Sequence, residues 1–286
     1  GIVGVAEKQS DATPVTWSTD LEGSILIDNL GVTTTSTGAV VFSPKIYYPF
    51  GNKYAYSFYS YYPYKNTEDQ TASVADGAYK ITYNLGNTDI LWASSVAQDY
   101  NGTTGFNAAY CRAVKLDGVD SQYYPKFQYS HLLTALVFRI VGKDNDIENY
   151  DVKVTGMQIT NTSSTATLCI ADSKGEQSGV LTGSEDGGSI GFTDLDVAPT
   201  ATESDLCTIL AMPARNYTAA ITLTVDGANK STVALPLGST DGRTKYDAGY
   251  IYYFTVTINS PQEITIVETG LKEWIPGTNP TPGGEI

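Results

Sequence analysis

Apolar and polar residues alternate with a period of two along most of the chain, and helical periodicity is nearly absent. Val, Ile, Thr, Tyr and Phe carry the alternation, and these residues fit a half-buried pleated surface. The pattern predicts strands at Ser24–Asp28, Ala39–Phe42, Tyr54–Tyr62, Tyr79–Tyr83, Leu133–Val141, Asp151–Thr160, Ala220–Val225, Ile251–Ile258 and Glu263–Glu268. Strands of this length without intervening helices predict antiparallel sheets packed face to face, hence an all-β protein.

Two domains are expected, because 286 residues exceed the usual size of one hydrophobic core. The polar stretch 115–122 precedes a strongly apolar strand that begins near Phe127, which predicts domains at 1–124 and 125–286. Within the second domain, Asp172–Gly191 is rich in Gly, Ser, Asp and Glu and is expected to be a long surface excursion. Asp226–Lys230 reads as a hairpin turn. Pro and Gly predict a flexible tail from about residue 276.

Charge and composition exclude several classes of function. Only 17% of the residues are charged, and 31 acidic against 17 basic residues give a net charge of −14. An acidic chain repels nucleic acid and anionic lipid. A single His and three scattered Cys cannot form a conventional zinc site. The composition therefore favours a binding or structural protein, without cofactor or metal and without enzymatic activity.

The three cysteines show no spacing typical of metal sites. Cys169 and Cys207 each lie in an apolar run and are expected to serve as small apolar side chains within strands. A Cys169–Cys207 disulfide is the alternative, and Cys111 would then be left over as a free thiol.

Candidate catalytic and metal groups are few. His131 stands just before a strand, and a structural role with a hydrogen bond to the backbone is favoured over that of a catalytic base. The Asp144–Glu148 loop alternates oxygen ligands as calcium loops do, although a plain hairpin turn explains the same residues. A glycosidase with paired carboxylates is a third possibility that the sequence does not localise.

The strand Tyr54–Tyr62 is unusually rich in tyrosine. Alternation places Tyr59 and Tyr61 on one face, so either both faces are buried or these two rings are exposed for stacking. With Trp92 they would suit a surface glycan-binding protein, which is the alternative to a structural role.

Several segments, taken in order, resemble one family. They are Phe42–Pro49, Tyr61–Tyr64, Ile90–Ala93, Phe127–Phe138, Ala248–Val256 and Ile264–Ile266 followed by Trp274. Their order and spacing are similar to those of the fimbrillin-like proteins of Bacteroides-type bacteria. The resemblance implies two tandem transthyretin-like antiparallel β-sandwich domains and a subunit of a type V pilus or related fimbrium. It also implies export as a lipoprotein to the outer membrane and removal of an N-terminal strand, which opens a groove for a donor strand.

The same resemblance implies other pilus subunits as partners, together with a host or bacterial surface protein or glycan for an adhesin. Ile2–Val5 and Val15–Trp17 are the candidate removable strands, with Ile2, Val3, Val5, Val15 and Trp17 as the apolar side chains. The first arginine is Arg112, so Lys8 is the candidate processing site. The Pro-rich tail is a poor donor strand, which favours a tip or accessory subunit over a shaft subunit.

Overall fold

The computed structural model describes residues 1–9, 13, 15–17, 23–66, 74–75, 77–97, 100, 102, 105–118, 123–143, 147, 150–227, 229–238, 245–260 and 263–275. The tail from residue 276 and the Asp144–Glu148 loop, apart from Ile147, lie outside these residues, so the tail and the calcium hypothesis stay predictions.

Strands dominate the described residues, and one α-helix accompanies them. The strands are β1 (Ile2–Gln9), β2 (Ile25–Leu30), β3 (Tyr54–Tyr62), β4 (Val74–Ala75), β5 (Ala78–Asn84), β6 (Leu91–Ser95), β7 (Ser130–His131), β8 (Thr134–Gly142), β9 (Lys153–Thr162), β10 (Thr165–Asp172), β11 (Leu181–Gly183), β12 (Gly188–Phe192), β13 (Ser204–Ala211), β14 (Thr218–Val225), β15 (Asn229–Pro236), β16 (Tyr250–Ser260) and β17 (Glu263–Glu273). The helix α1 spans Ala108–Leu116. The prediction of a β protein is confirmed at this level.

The chain divides into two compact units, and the first comprises residues 1–82, 90–130 and 167–182. It contains a five-stranded sheet in the order β2-β1-β3-β6-β7. A second sheet, in the order β11-β10-β5-β4, has most of its residues in this unit. Aromatic side chains fill the interior, among them the buried Tyr56, Tyr61 and Tyr79.

The second unit comprises residues 83–89, 131–166 and 183–286. Two four-stranded sheets, β12-β9-β14-β15 and β13-β8-β16-β17, enclose one apolar core. Both sheets contribute fully buried residues, such as Phe138 of β8, Ile159 of β9 and Phe254 of β16. The second unit is therefore a two-layer β-sandwich, with the rings of Phe138 and Phe254 stacked 5.3 Å apart in its core.

One pairing differs from the expected antiparallel arrangement. β8 and β16 run parallel, from Ala135 opposite Ile251 to Gly142 opposite Ile258. Parallel neighbours need a long connection, and the chain between these strands supplies more than a hundred residues. The periodicity of a strand contains no information about the direction of its partner, so the prediction was wrong for this pair.

Other local predictions are also corrected. Helix α1 was not predicted; it begins after Asn107, whose side chain accepts a hydrogen bond from the Tyr110 nitrogen at 2.8 Å. The predicted strand at Ala39–Phe42 is reduced to an isolated bridge between Val40 and Thr34. The expected excursion at 172–191 contains β11 and most of β12.

The hairpin of β14 and β15 is confirmed, with Val225 opposite Asn229. The chain enters the second unit for residues 83–89, enters it again after residue 130, and returns to the first unit for 167–182. The boundary between residues 124 and 125 and the transthyretin-like topology stay predictions. No helix in the described ranges has the length and apolar character needed to cross a bilayer.

Candidate functional site

Strand β1 lies between two neighbours and is hydrogen bonded along both edges. It pairs antiparallel with β3, from Ile2 opposite Ser60 to Gln9 opposite Tyr54. On its other side it pairs antiparallel with β2. The first residue continues this arrangement, since the Gly1 nitrogen donates to the Tyr61 carbonyl at 2.8 Å and the Tyr61 nitrogen donates back to the Gly1 carbonyl at 3.0 Å.

Both faces of β1 are buried. Val3 and Val5, on one face, have no exposed surface, and Ile2 on the other face is 2% exposed. Gly4 follows Ile2 on that second face, and a Cβ atom there would lie 2.9 Å from the Phe58 ring. A side chain at position 4 would therefore push the strands apart, so the glycine is required by close packing.

The segment containing Val15 and Trp17 packs on β1. Both side chains are buried. Trp17 Nε1 donates to the Ala6 carbonyl at 2.5 Å, and the Val15 nitrogen donates to the Glu7 carbonyl at 3.4 Å. Val15 and Trp17 thus contact β1 directly, and the hypothesis that Val15–Trp17 is an alternative removable strand stays a prediction.

The ladder between β1 and β3 has one irregularity, in the C-terminal half of β1. Lys8 lies opposite Ala55 just after a shift in register between Ala6 and Lys8. The preceding residue, Glu7, accepts a hydrogen bond of 2.5 Å from the Tyr59 hydroxyl. The predicted processing residue thus lies within a paired strand, next to an irregularity that weakens the ladder locally.

Of the three predicted stacking residues, Tyr59 and Tyr61 are buried and Trp92 is partly buried. Tyr59 and Tyr61 are 4% and 1% exposed, and β3 is buried on both faces until Tyr62. Tyr59 stacks on Trp92 at 6.3 Å, and Trp92 Nε1 donates to the Ile170 carbonyl at 2.9 Å. The expectation that Tyr59 and Tyr61 are exposed for stacking is therefore corrected, because both rings are enclosed within the first unit.

His131 has a different partner from the one expected. Its Nδ1 lies 2.8 Å from Asp89 Oδ2 instead of a backbone group, and its ring stacks on Trp274 at 3.8 Å. The buried Nε2 atom has no hydrogen-bond partner among the described residues. No nucleophile is thus placed against the ring, and the arrangement agrees with the structural role.

The cysteines and acidic groups form no reactive centre in the described part of the chain. Cys111, Cys169 and Cys207 are free thiols, so the Cys169–Cys207 disulfide is not formed. Burial raises the pKa of the Cys207 thiol to about 12, which keeps it protonated and unreactive. Within the described ranges, no group of three or more His, Cys, Asp or Glu residues could hold a metal ion.

Comparison with known proteins is decisive for the family. The profile of the family described as fimbrillin-like matches residues 5–274, nearly the whole chain. The chain belongs to the fimbrillin-like family. This fimbrillin-like chain is accordingly a structural protein and not an enzyme, and its family supports a role as a pilus subunit.

Solved structures share the fold of this fimbrillin-like chain. A candidate cell adhesion protein from Bacteroides ovatus is 14% identical with a TM-score of 0.53, and the match covers 96% of this chain and 87% of that protein. A fimbrial protein from Bacteroides vulgatus is 13% identical with a TM-score of 0.52, covering 96% and 91% respectively. No curated protein matches the chain.

Sequence reasoning missed two residues of the N-terminal site. Gly4 interrupts the apolar run Ile2–Val5, and a glycine inside a strand pattern is a signal of close packing that was available. Glu7 offered no such signal, because its partner Tyr59 is 52 residues away and the pairing depends on the register of β1 and β3.

Proposed function

We propose that this chain is a subunit of a cell-surface pilus that joins a neighbouring subunit by exchange of strand β1. The observation that carries the proposal is that β1 is hydrogen bonded along both edges and buried on both faces. Removal of such a strand leaves two rows of unpaired backbone groups and an apolar groove, which is unfavourable in water. A strand from another subunit pairs with these backbone groups, and its apolar side chains fill the groove.

The proposed cleavage follows Lys8. It separates Ile2, Val3 and Val5 from the rest of the chain and leaves Val15 and Trp17 in the acceptor subunit. The register shift between Ala6 and Lys8 supports this position, because a locally weakened ladder opens more readily to a protease.

We further propose that the subunit accepts a strand without donating one, as a tip or accessory adhesin does. Residues 276–286 contain Pro276, Pro280 and Pro282, and proline cannot donate to a β-ladder. Other pilus subunits would then be partners on the acceptor side, and a surface protein or glycan of a host or bacterium would be the adhesive target. The family resemblance supports attachment to the outer membrane through a lipid on the precursor.

The burial of Tyr59 and Tyr61 removes the observation that would favour a separate glycan-binding function, and the partly buried Trp92 packs on Tyr59 and donates to the Ile170 carbonyl. The pilus subunit is therefore the single function proposed, and its assembly requires no cofactor.

Limited trypsin digestion of the folded chain tests strand exchange. Digested protein is mixed with a synthetic peptide of residues 2–9, and with a control peptide carrying V3D and V5D. Digested protein is expected to bind the first peptide and to regain its melting temperature, whereas the control peptide does not bind. The Lys8→Gln variant isolates the relevant cut, since it is expected to keep β1 and take up no peptide.

If cleavage after Lys8 leaves the melting temperature unchanged and the digested protein binds neither peptide, β1 is not an exchangeable strand. Cleavage at other lysines is common to the wild type and Lys8→Gln, so their comparison isolates the effect of β1.

A further inference from the structure

The first unit contains an apolar cavity of about 720 Å³ beside β1. Its floor is one face of the β2-β1-β3 sheet, where Ile27, Ile2 and Phe58 line it. All lining residues belong to the first unit. The volume falls within the roughly 300–1,000 Å³ of small-molecule binding sites.

The cover of the cavity is chain without regular secondary structure. Residues 31–53 make one isolated bridge, between Thr34 and Val40, and contribute Val40, Phe42 and Ile46 to the lining. Phe127 and Tyr129 close another side. A covering segment held by few backbone hydrogen bonds can move aside for a ligand at low cost.

The charge of the lining differs from that of the chain. Although the protein carries a net charge of −14, no acidic residue lines the cavity and Lys126 is the single charged residue there. The Lys126 backbone nitrogen is held by Ser95 Oγ at 2.9 Å, while its side chain is exposed. No described carboxylate forms a salt bridge with its ammonium group.

We propose that this cavity binds a long-chain fatty acid, with the acyl chain on the sheet and the carboxylate at Lys126. Burial of each methylene group against apolar side chains favours binding. A peptide strand fits less well, because the cavity faces the surface of the sheet and the edges of β1 are already paired on both sides. An acyl chain needs no backbone partners, and its one negative charge matches the one lysine.

Titration of the intact, delipidated chain with palmitate tests the proposal. We expect one palmitate to bind per chain, and 1-hexadecanol, which has the same chain length without charge, to bind several-fold more weakly. No cleavage of β1 is involved, so the result is independent of strand exchange.

Two variants locate the ligand. Ala39 is an exposed lining residue of the cover, so Ala39→Trp fills the cavity without disturbing the core and is expected to weaken palmitate binding at least tenfold. Ser36→Trp adds the same ring at an exposed position outside the lining and is expected to leave binding unchanged. Circular dichroism confirms that both variants fold.

Charge reversal tests the head group. Lys126→Glu is expected to weaken palmitate binding roughly three- to tenfold and to leave hexadecanol binding unchanged. Lys143→Glu, an equal charge change in the second unit, is the control. The proposal is overturned if palmitate does not bind, if Ala39→Trp binds it as the wild type does, or if Lys126→Glu has no effect.

Discussion

The Tyr59 hydroxyl of β3 donates a hydrogen bond of 2.5 Å to the Glu7 carboxylate of β1. Tyr59 is buried and Glu7 is partly buried, so the bond links the N-terminal strand to its neighbour away from bulk water. This side-chain hydrogen bond holds β1 in addition to its backbone hydrogen bonds. Removal of the hydroxyl group alone would leave the packing of the Tyr59 ring unchanged.

Tyr59→Phe is expected to destabilise the protein by about 1–3 kcal/mol, because the carboxylate loses its donor within the fold. Urea unfolding followed by tryptophan fluorescence measures the change. Tyr62→Phe is the matched control on the same strand: Tyr62 is 56% exposed, and its hydroxyl is expected to contribute less than about 0.5 kcal/mol. Equal effects of the two variants would contradict the role of the Glu7 contact.

Alkaline pH is expected to destabilise the first unit. Burial raises the pKa of Tyr56 and of Tyr61 to about 12. Because the unfolded chain releases these protons near pH 10 and the folded chain does not, stability is complete below about pH 10 and falls as pH rises towards 12.

The loss amounts to at most about 1.4 kcal/mol per pH unit for each such tyrosine. Tyrosinate absorbance and urea unfolding at several pH values measure ionisation and stability together. Ionisation of all tyrosines near pH 10 in the folded protein, without loss of stability, would show that these rings are not buried.

Trp17→Phe is expected to loosen β1. The substitution keeps an aromatic ring in the core but removes the hydrogen bond from Nε1 to the Ala6 carbonyl. A loss of about 1–2 kcal/mol raises the population of the open strand roughly 5- to 30-fold, so tryptic cleavage at Lys8 accelerates by that factor. Trp92→Phe removes a comparable bond, to the Ile170 carbonyl, from β6, a strand of the same sheet that does not pair with β1. If both variants are cut equally fast, Trp17 does not hold the strand.

The pair His131 and Asp89 is expected to be coupled. Asp89→Ala leaves the buried Nδ1 atom without its partner and is expected to cost about 1–3 kcal/mol. His131→Phe in the same background preserves stacking on Trp274 and removes the unsatisfied nitrogen, so the double variant is expected to be more stable than Asp89→Ala. Urea unfolding of the four proteins in the cycle measures the coupling, and strictly additive effects would contradict it.

Local pattern was sufficient for many elements. The prediction for β3 agrees with the structure at both ends, since its nine residues are all aromatic or small and aromatic residues favour strands. The turn at Asp226–Gly227 likewise predicted the β14–β15 hairpin, because its partners are adjacent in the sequence. Helix α1 was not predicted, because a nine-residue helix that buries only Tyr110 and Val114 gives too short an apolar periodicity to recognise.

The candidate site was predicted only in part. Ile2, Val3 and Val5 could be recognised as a buried strand from their own pattern, and their burial agrees with it. That Trp17 is an anchor and that Tyr59 is internal could not be recognised, because both facts depend on which distant segments cover them.

The amino-acid sequence alone is thus sufficient to recognise the β character, the family and the apolar N-terminal strand. Alternation, short motifs and local turns depend on residues that are neighbours in the sequence. The parallel pairing of β8 with β16, the passage of residues 167–182 into the first unit and the cavity beside β1 depend on contacts between distant residues. The backbone groups that form hydrogen bonds are the same for every residue type except proline. Which strands meet, and in which direction, is therefore set by packing of the whole chain.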